Sequence, residues 1–156
     1  MIDFIKETIT RAGRICIKEQ GNLGTGTVEF KQKKDLVTKV DRQVEEFILQ
    51  AVSRKYPDHG WFGEETGKSN MDADTIWIID PIDGTTSYFH HHPFYCVSMA
   101  VYKNNKPLCG AVYAPVMEEL FVADGSEAFL NDQQISVSAT DKMIESVMAT
   151  GFACLR

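Results

Sequence analysis

The sequence predicts an α+β fold, a layered sandwich in which two N-terminal helices pack on a mostly antiparallel sheet. Apolar residues recur at helical spacing over residues 2–19 and again over residues 44–52. From residue 61 onward, the pattern changes to short runs of β-forming residues that turn signals separate. Helices followed by a run of strands are typical of the α+β class.

Each helical segment has recognisable ends. The first should stop at Gly21, and the glycine-rich stretch 21–26 is expected to be a flexible connector because it lacks the order of a phosphate loop. The second should begin at Asp41, whose side chain is a good N-cap. It should end near Lys55, ahead of Pro57.

The central strand is predicted over residues 75–79, an unbroken apolar run of β-formers. A short run of this kind is typical of a strand that is buried on both faces. Pro81 should end the strand because a proline cannot donate to a β-ladder. The other predicted strands are 61–63, 94–102, 108–114, 119–123, 128–130 and 135–137, with a fresh strand starting at 146.

Two acids, a glycine and two threonines follow the central strand directly. Asp-Pro and Asp-Gly are common turn pairs, so either pair alone would indicate only a turn. The whole string favours a functional site, because a turn does not need both Asp80 and Asp83 at the exit of a buried strand. If a helix starts at Gly84, the amides of Gly84 and Thr85 would attract an anion. Acids that attract a cation beside such amides predict a metal ion that bridges to a phosphate.

Other candidates stay open on spacing alone. The adjacent acids Glu64 and Glu65 are usually surface charge, so a ligand role for either is the minority interpretation. The lysines at 31, 33 and 34 would ordinarily form a solvated face. The run His90, His91 and His92 suggests metal binding, but neighbours in an extended segment point to opposite sides. We therefore expect a loop near the site rather than three ligands.

Composition limits the class of protein. A chain of 156 residues with 44% hydrophobic content fits one domain with a real core. The net charge of −6 argues against nucleic acid or an anionic membrane as partner. A phosphate-bearing substrate would be repelled unless metal ions inverted the local field. No apolar run is long enough to span a membrane, no signal peptide is evident, and the four scattered cysteines predict free thiols in the cytoplasm.

Three motifs stand out in the sequence: Asp35-Leu36-Val37-Thr38-x-x-Asp41, Gly63-Glu64-Glu65 and the string from Trp77 to Thr86. Taken together, they resemble the motifs of the inositol monophosphatase family. These enzymes are magnesium-dependent, lithium-sensitive phosphomonoesterases. The resemblance covers the whole chain and implies two or three Mg²⁺ ions, a small phosphorylated substrate and a homodimer.

The resemblance implies a metal-ligand set and decides for Glu64 over its neighbour. Glu64, Asp80 and the carbonyl of Ile82 would hold the first magnesium ion. Asp80 would bridge to a second ion, which it shares with Asp83. Carboxylate and carbonyl oxygens are the ligands that Mg²⁺ prefers.

The resemblance also implies catalytic and phosphate-binding roles. Asp41 and Thr85 would form a relay that orients and deprotonates the attacking water, with Glu64 as a further catalytic residue. The amides of Gly84 and Thr85, together with Asp83, would hold the substrate phosphate. Lys31 falls where the family usually has a lysine, although the lysines at 33 and 34 are close alternatives.

Two departures from the family pattern affect the expectations. Ser87 stands where the family most often has asparagine. The family's second α/β domain, which supplies another metal-binding aspartate, has no counterpart here. We therefore expect residues 1–145 to form the metal-bearing domain and residues 146–156 to begin a second one. We also expect the chain to be a fragment that hydrolyses phosphate esters poorly by itself.

The predicted function is magnesium-dependent hydrolysis of a small phosphate monoester such as myo-inositol monophosphate. Fructose-1,6-bisphosphatase and 3'-phosphonucleotidase activities are rivals within the same superfamily. The nucleotidase branch tends to have a lysine where this chain has Thr86. A non-catalytic regulatory or binding protein that keeps the fold is the alternative from another class, but such a protein has no need for an acidic cluster.

Overall fold

The computed structural model describes residues 1–23 and 30–150, except for the side chains of residues 30–38. Its helices are α1 (Ile2–Asn22), α2 (Phe30–Lys55) and α3 (Thr85–Phe89), and a 3₁₀ turn spans Met143–Glu145. Its strands are β1 (Gly60–Gly63), β2 (Gly67–Ser69), β3 (Thr75–Asp83), β4 (Cys96–Lys103), β5 (Lys106–Ala114), β6 (Glu119–Ala123), β7 (Ala128–Leu130) and β8 (Gln133–Ile135).

All eight strands belong to one sheet. Their order is β2-β1-β3-β4-β5-β6-β7-β8, so that every neighbour after β3 also follows in sequence. The pairing of β1 with β3 is parallel and the other six pairings are antiparallel. Helix α1 lies against β4, β5 and β6, while α2 lies against α1 and β3. The predicted α+β sandwich of two N-terminal helices on a mostly antiparallel sheet is confirmed.

The core fills the space between the two long helices and the sheet. The apolar stripe predicted for the first helix faces the core: Ile5, Ile9, Ala12 and Cys16 are completely enclosed, whereas Ile2 and Ile15 are partly buried. Trp77 and Ile79 of β3 face the same core, and Val101 is the register partner of Trp77. The sheet residues that face the helices alternate with residues that face away, as the pleat requires.

The prediction that Asp41 caps the second helix is wrong. Helix α2 begins at Phe30, so that Asp41 lies well inside it. The residues from 30 to 40 include neither glycine nor proline, and several are good helix formers. Nothing in this stretch therefore ends the helix ahead of Asp41. The expected connector at 21–26 falls partly on residues 24–29, which lie outside the described part of the chain.

Two expectations for the central strand are also wrong. Strand β3 continues through Pro81 to Asp83, because the register with β4 shifts between Asp80 and Asp83. Two residues of β3, Pro81 and Ile82, there lie opposite the single residue Val97 of β4. This is the arrangement of a β-bulge, which tolerates a proline. The strand is also not buried on both faces, since Ile78 is 38% exposed.

The strand expected from residue 146 is absent over residues 146–150, the described part of that segment. Val147 and Met148 are exposed there, and no described strand lies beside them to complete a ladder. The described cysteines, Cys16, Cys96 and Cys109, are free thiols; Cys16 is buried, and the other two are partly buried. Within the described residues, no helix is both long and apolar enough to cross a membrane.

Candidate active site

The parallel pairing of β1 with β3 brings the first two acids together. Gly63 is the register partner of Ile79, so the next residues, Glu64 and Asp80, lie side by side. Glu64 is close enough to Asp80 for its charge and a side-chain hydrogen bond to raise the pKa of Asp80. Their meeting therefore follows from sheet register and not from nearness in sequence.

Asp80 is the most unusual polar side chain of this region. Its Oδ1 atom is buried and has no hydrogen-bond partner among the described residues. Burial first, and then the neighbouring carboxylates of Glu64 and Asp83, together raise the pKa of Asp80 to about 7. An unpartnered buried oxygen of this kind calls for an explanation, such as a missing ion.

Asp41 approaches the same acids from α2. It is only 5% exposed. Its pKa is raised to about 7. Burial is the largest cause, and the negative charges of Glu65, Glu64, Asp80 and Glu45 add to it. Helix α2 thus brings Asp41 close enough to Glu64 and Asp80 for their charges to act on it.

The bulge in β3 determines where Asp83 lies. Pro81 and Ile82 are both buried, so the usual alternation is interrupted and Asp83 is exposed. Cys96 on β4 is its register partner, and the Cys96 thiol donates a hydrogen bond to Asp83 Oδ2, with 3.8 Å between the sulfur and the oxygen. Burial and the charge of Asp83 raise the pKa of Cys96 to about 11, so this thiol stays protonated near neutral pH.

Gly84 links the acids to the short helix α3. Its φ of 90° is in the left-handed region, and a Cβ there would lie 2.8 Å from the carbonyl oxygen of Phe94. Only glycine meets both conditions without strain. The chain turns here so that Thr85 Oγ1 donates to the carbonyl of Ile82 at 3.1 Å. The relay between Asp41 and Thr85 stays a prediction.

The turn that carries Gly84 is anchored to the first helix. Tyr88 of α3 is buried, and its hydroxyl donates to the carbonyl of Cys16 at 2.9 Å. Gln20 donates back from its side chain to the carbonyl of Tyr88 at 2.9 Å. The ring of Tyr95 packs edge-on against Tyr88, with centroids 4.9 Å apart. Helix α1 thereby supports the predicted phosphate-binding end of the site.

The structure also separates the two adjacent glutamates. Glu64 faces Asp80, whereas Glu65 Oε2 lies 3.7 Å from Nε of Arg42. The side chain of Lys31 lies outside the described residues. His90, His91 and His92 form the exposed turn that follows α3, in agreement with the expected loop.

Glu45 is a member of this region that the sequence did not single out. It is completely buried and accepts hydrogen bonds from the backbone of the segment that carries Glu64. The signal was present in the helical spacing, because Glu45 lies one turn after Asp41 and shares its face. Glutamate is so common on exposed helix faces that this spacing alone does not distinguish it.

The donor set fits a divalent cation. Within the described residues, no three Asp, Glu, His or Cys side chains are already drawn together as a group that could hold a metal ion. However, Asp80 offers an unpartnered buried oxygen beside Glu64, and the surrounding charges are of like sign. A hard cation would relieve both the missing partner and the repulsion. The residues are therefore suited to bind an ion.

The chain is similar to known proteins over nearly its whole length. The sequence profile of the inositol monophosphatase family matches residues 1–155. The chain is 38% identical to inositol monophosphatase 3 of Solanum lycopersicum, over 96% of this chain and 57% of that protein. It is 39% identical to an inositol monophosphatase of Dictyostelium discoideum, over 96% of this chain and 54% of that protein.

A solved structure has the same architecture. The extragenic suppressor protein suhB from Bartonella henselae superposes with a TM-score of 0.77 at 33% identity, over 88% of this chain and 54% of that chain. The chain thus spans about half the length of the relatives that it matches.

Proposed function

Because the chain belongs to the inositol monophosphatase family, we propose that it carries the metal- and phosphate-binding site of a magnesium-dependent phosphate monoester hydrolase. Three features of the described residues support this proposal. Asp41 of α2 is close enough to Glu64, which follows β1, and to Asp80 of β3 for their charges to act on it. Asp80 has an unsatisfied buried oxygen, and a glycine-led turn follows β3. The family supplies the reaction class.

Glu64, Asp80, Asp83 and the carbonyl of Ile82 would hold the metal. When bound, Mg²⁺ would neutralise charge on the phosphate and make a water molecule more acidic. The acids themselves would fix the position of the ions. Bound ions would also let a chain with a net charge of −6 accept an anionic ester.

Asp41 and Thr85 would act on the attacking water. A buried Asp41 with a raised pKa can take up a proton near neutral pH, which is the property that a general base needs. Thr85 would orient the water through its hydroxyl, and the amides of Gly84 and Thr85 would bind a phosphate oxygen. Lys31 remains a further candidate for contact with the substrate.

The observation that carries the proposal is the buried Oδ1 of Asp80. A carboxylate oxygen without a hydrogen-bond partner is costly to bury, and two further acids beside it increase the cost. A purely structural role would be better served by an amide or an apolar side chain. Such a group is retained for a function, and a cation is the ligand that resolves the cost.

We take myo-inositol monophosphate as the proposed substrate, because the two relatives compared by sequence are named inositol monophosphatases. Fructose-1,6-bisphosphate and a 3'-phosphonucleotide are the rival substrates. Thr86, in place of the lysine of the nucleotidase branch, argues against the 3'-phosphonucleotide and leaves the other two substrates. Homodimer formation and a cytoplasmic location belong to the same proposal.

The decisive experiment measures phosphate release from the three candidate esters with Mg²⁺ or with EDTA. It uses residues 1–156 and also the longest polypeptide that the gene encodes. We expect Mg²⁺-dependent release by the longest polypeptide and little release by residues 1–156 alone. Asp83→Asn should reduce release about 100-fold, as loss of a metal-site group does, whereas Asp72→Asn, at an exposed acid, should not.

A regulatory binding role is the alternative function. The Bartonella henselae relative is named for genetic suppression and not for a reaction. If the longest polypeptide releases no phosphate from any of the three esters with Mg²⁺ present, the hydrolase proposal is rejected and the binding role takes its place.

A further inference from the structure

Glu45 is a buried acid outside the proposed ligand set. It lies on α2, four residues after Asp41, and its exposed fraction is 0%. Its Oε2 accepts the backbone N–H of Glu65 at 3.0 Å, and its Oε1 accepts the backbone N–H of Thr66 at 2.7 Å. Both carboxylate oxygens are therefore committed to one short backbone segment.

That segment is the turn between β1 and β2. Gly63 pairs with Gly67 across the hairpin, which leaves Glu64, Glu65 and Thr66 as the connecting residues. Glu45 accepts from the backbone of two of these three. Among the described residues, no lysine or arginine forms an ion pair with it. The hydrogen bonds from the two amides thus compensate for the cost of burying the Glu45 carboxylate.

The local backbone is built to admit this carboxylate. A Cβ on Gly63 would lie only 2.5 Å from Oε1 and 2.7 Å from Oε2 of Glu45. Gly63 is buried and ends β1, at the position just before Glu64. The missing side chain at Gly63 is therefore the space that the Glu45 carboxylate occupies.

We propose that Glu45 is a positioning residue that fixes the β1–β2 turn and thereby holds the Glu64 side chain against Asp80. The register of β1 with β3 sets where the Glu64 backbone lies, and Glu45 sets the direction in which the turn leaves the sheet. The proposal deepens the proposed function, because it assumes that Glu64 and Asp80 bind a divalent cation. Glu45 itself touches neither the cation nor the substrate.

Two variants test this role, each with a matched control. Glu45→Gln keeps the shape of the side chain but turns a donor toward one of the two amides. Gly63→Ala leaves Glu45 unchanged and displaces its carboxylate sterically. The control for lost charge is Glu46→Gln, at the neighbouring exposed position. The control for lost stability is Val44→Ala. Val44 is a buried residue of the same helix, and its apolar side chain makes no hydrogen bond to the turn.

Two measurements are made on the 156-residue chain. Mn²⁺ affinity is followed by electron paramagnetic resonance, and the exchange of the Glu65 and Thr66 amide hydrogens is followed by NMR. We expect Glu45→Gln and Gly63→Ala each to weaken Mn²⁺ binding about 10- to 100-fold, as the loss of groups that orient metal ligands does. Both should speed exchange at the two amides. Val44→Ala should lower the melting temperature but leave Mn²⁺ affinity within about twofold, and Glu46→Gln should change neither.

The outcomes separate this inference from the proposed function. Wild-type Mn²⁺ affinity in both Glu45→Gln and Gly63→Ala would overturn the role of Glu45 and leave the metal site standing. No Mn²⁺ binding by the wild-type chain would overturn the metal site together with this role. If Glu45→Gln does not fold, Gly63→Ala decides alone. The double variant should bind Mn²⁺ no more weakly than the single variant with the lower Mn²⁺ affinity. The reason is that both substitutions remove the same interaction, that of Glu45 with the turn.

Discussion

At the scale of single residues, the site consists of acids that destabilise one another. Asp41 and Asp80 both have a pKa raised to about 7, with burial as the first cause and nearby carboxylates as the next. Natural proteins retain such groups at functional sites, where a ligand recovers the cost. The stability of the metal-free chain should therefore depend on the charge of these buried acids.

Asp80→Asn should stabilise the metal-free chain while it removes metal binding. The substitution deletes one of several like charges and keeps a hydrogen-bonding side chain beside Glu64, with which Asp80 already shares a hydrogen bond, so we expect a gain of about 1 kcal/mol. Thermal unfolding with EDTA measures this gain, with the exposed acid Asp72→Asn as control. Added Mg²⁺ should then raise the melting temperature of the wild type but not that of Asp80→Asn. A loss of stability in EDTA would show that Asp80 already has a favourable partner.

The metal-free chain should lose stability as the pH rises from about 4 to about 7. Asp41 has a folded-state pKa of about 7 against an ordinary value of 3.8, so the folded state binds more protons across that window. The free energy of unfolding then falls with rising pH. His59 acts oppositely below its ordinary pKa of 6.5, because burial lowers its pKa.

The Asp41 effect is therefore read as the difference between wild type and Asp41→Asn. Urea unfolding at pH 5 and pH 7.5 in EDTA measures it, and the wild type should lose more stability than the variant. Saturating Mg²⁺ should reduce that loss, because a cation favours the ionised acids. Parallel pH profiles for the two proteins would count against the raised pKa.

At the scale of elements, helix α1 has two functions. One face fills the core beneath β4 and β5, and its last turns support the Gly84 end of the site through Cys16 and Gln20. Sequence periodicity identified the first function, because burial leaves a regular pattern. The second depends on hydrogen bonds to residues about 70 positions away, for which local spacing gives no signal.

Substitutions on α1 should therefore separate by face. Ile9→Ala removes a completely buried side chain and should lower the free energy of unfolding by about 2–5 kcal/mol through lost burial and the cavity that remains. Ile17→Ala, at a side chain that is 43% exposed, should change it by about 0.5 kcal/mol or less. Urea unfolding followed by circular dichroism measures both. Equal losses would mean that α1 does not pack in this orientation.

At the scale of the whole molecule, α1 and α2 cover one face of the sheet, whereas the other face has exposed side chains in the described part of the chain. The side away from the helices presents an apolar row across four strands. Phe62 pairs with Ile78, Ile78 with Ala100, and Ala100 with Gly110. Phe62 and Ile78 are both exposed. Contiguous apolar surface of this kind tends to be covered by another molecule or domain.

Residues 1–156 should accordingly associate as their concentration rises. Ile78→Lys places a charge in the middle of the row and should shift sedimentation velocity profiles toward the monomer. Met143→Lys, at an exposed residue outside the sheet, serves as the control. Association that is unaffected by Ile78→Lys would place the self-contact on another surface, and a monomer at all concentrations would contradict the expected homodimer.

The fold class, the core face of α1 and the motif at the end of β3 could all be predicted from the amino-acid sequence. These features are local, because helical spacing, alternation and a run of acids and glycine are readable within a few residues. The starting point of α2 was misjudged, since a good cap residue such as Asp41 can equally lie inside a helix when no breaker precedes it. The bulge at Pro81 was missed, because only the partner strand β4 provides the register that accommodates a proline.

Which acids lie close to one another is evident only from the tertiary structure. Glu64 and Asp80 are neighbours because β1 and β3 pair in parallel, and Asp41 joins them because α2 lies against β3. The same packing buries Glu45 against the turn that carries Glu64. Long-range pairing brings together residues that are tens of positions apart, and charge, burial and pKa depend on that proximity, so no local pattern specifies them.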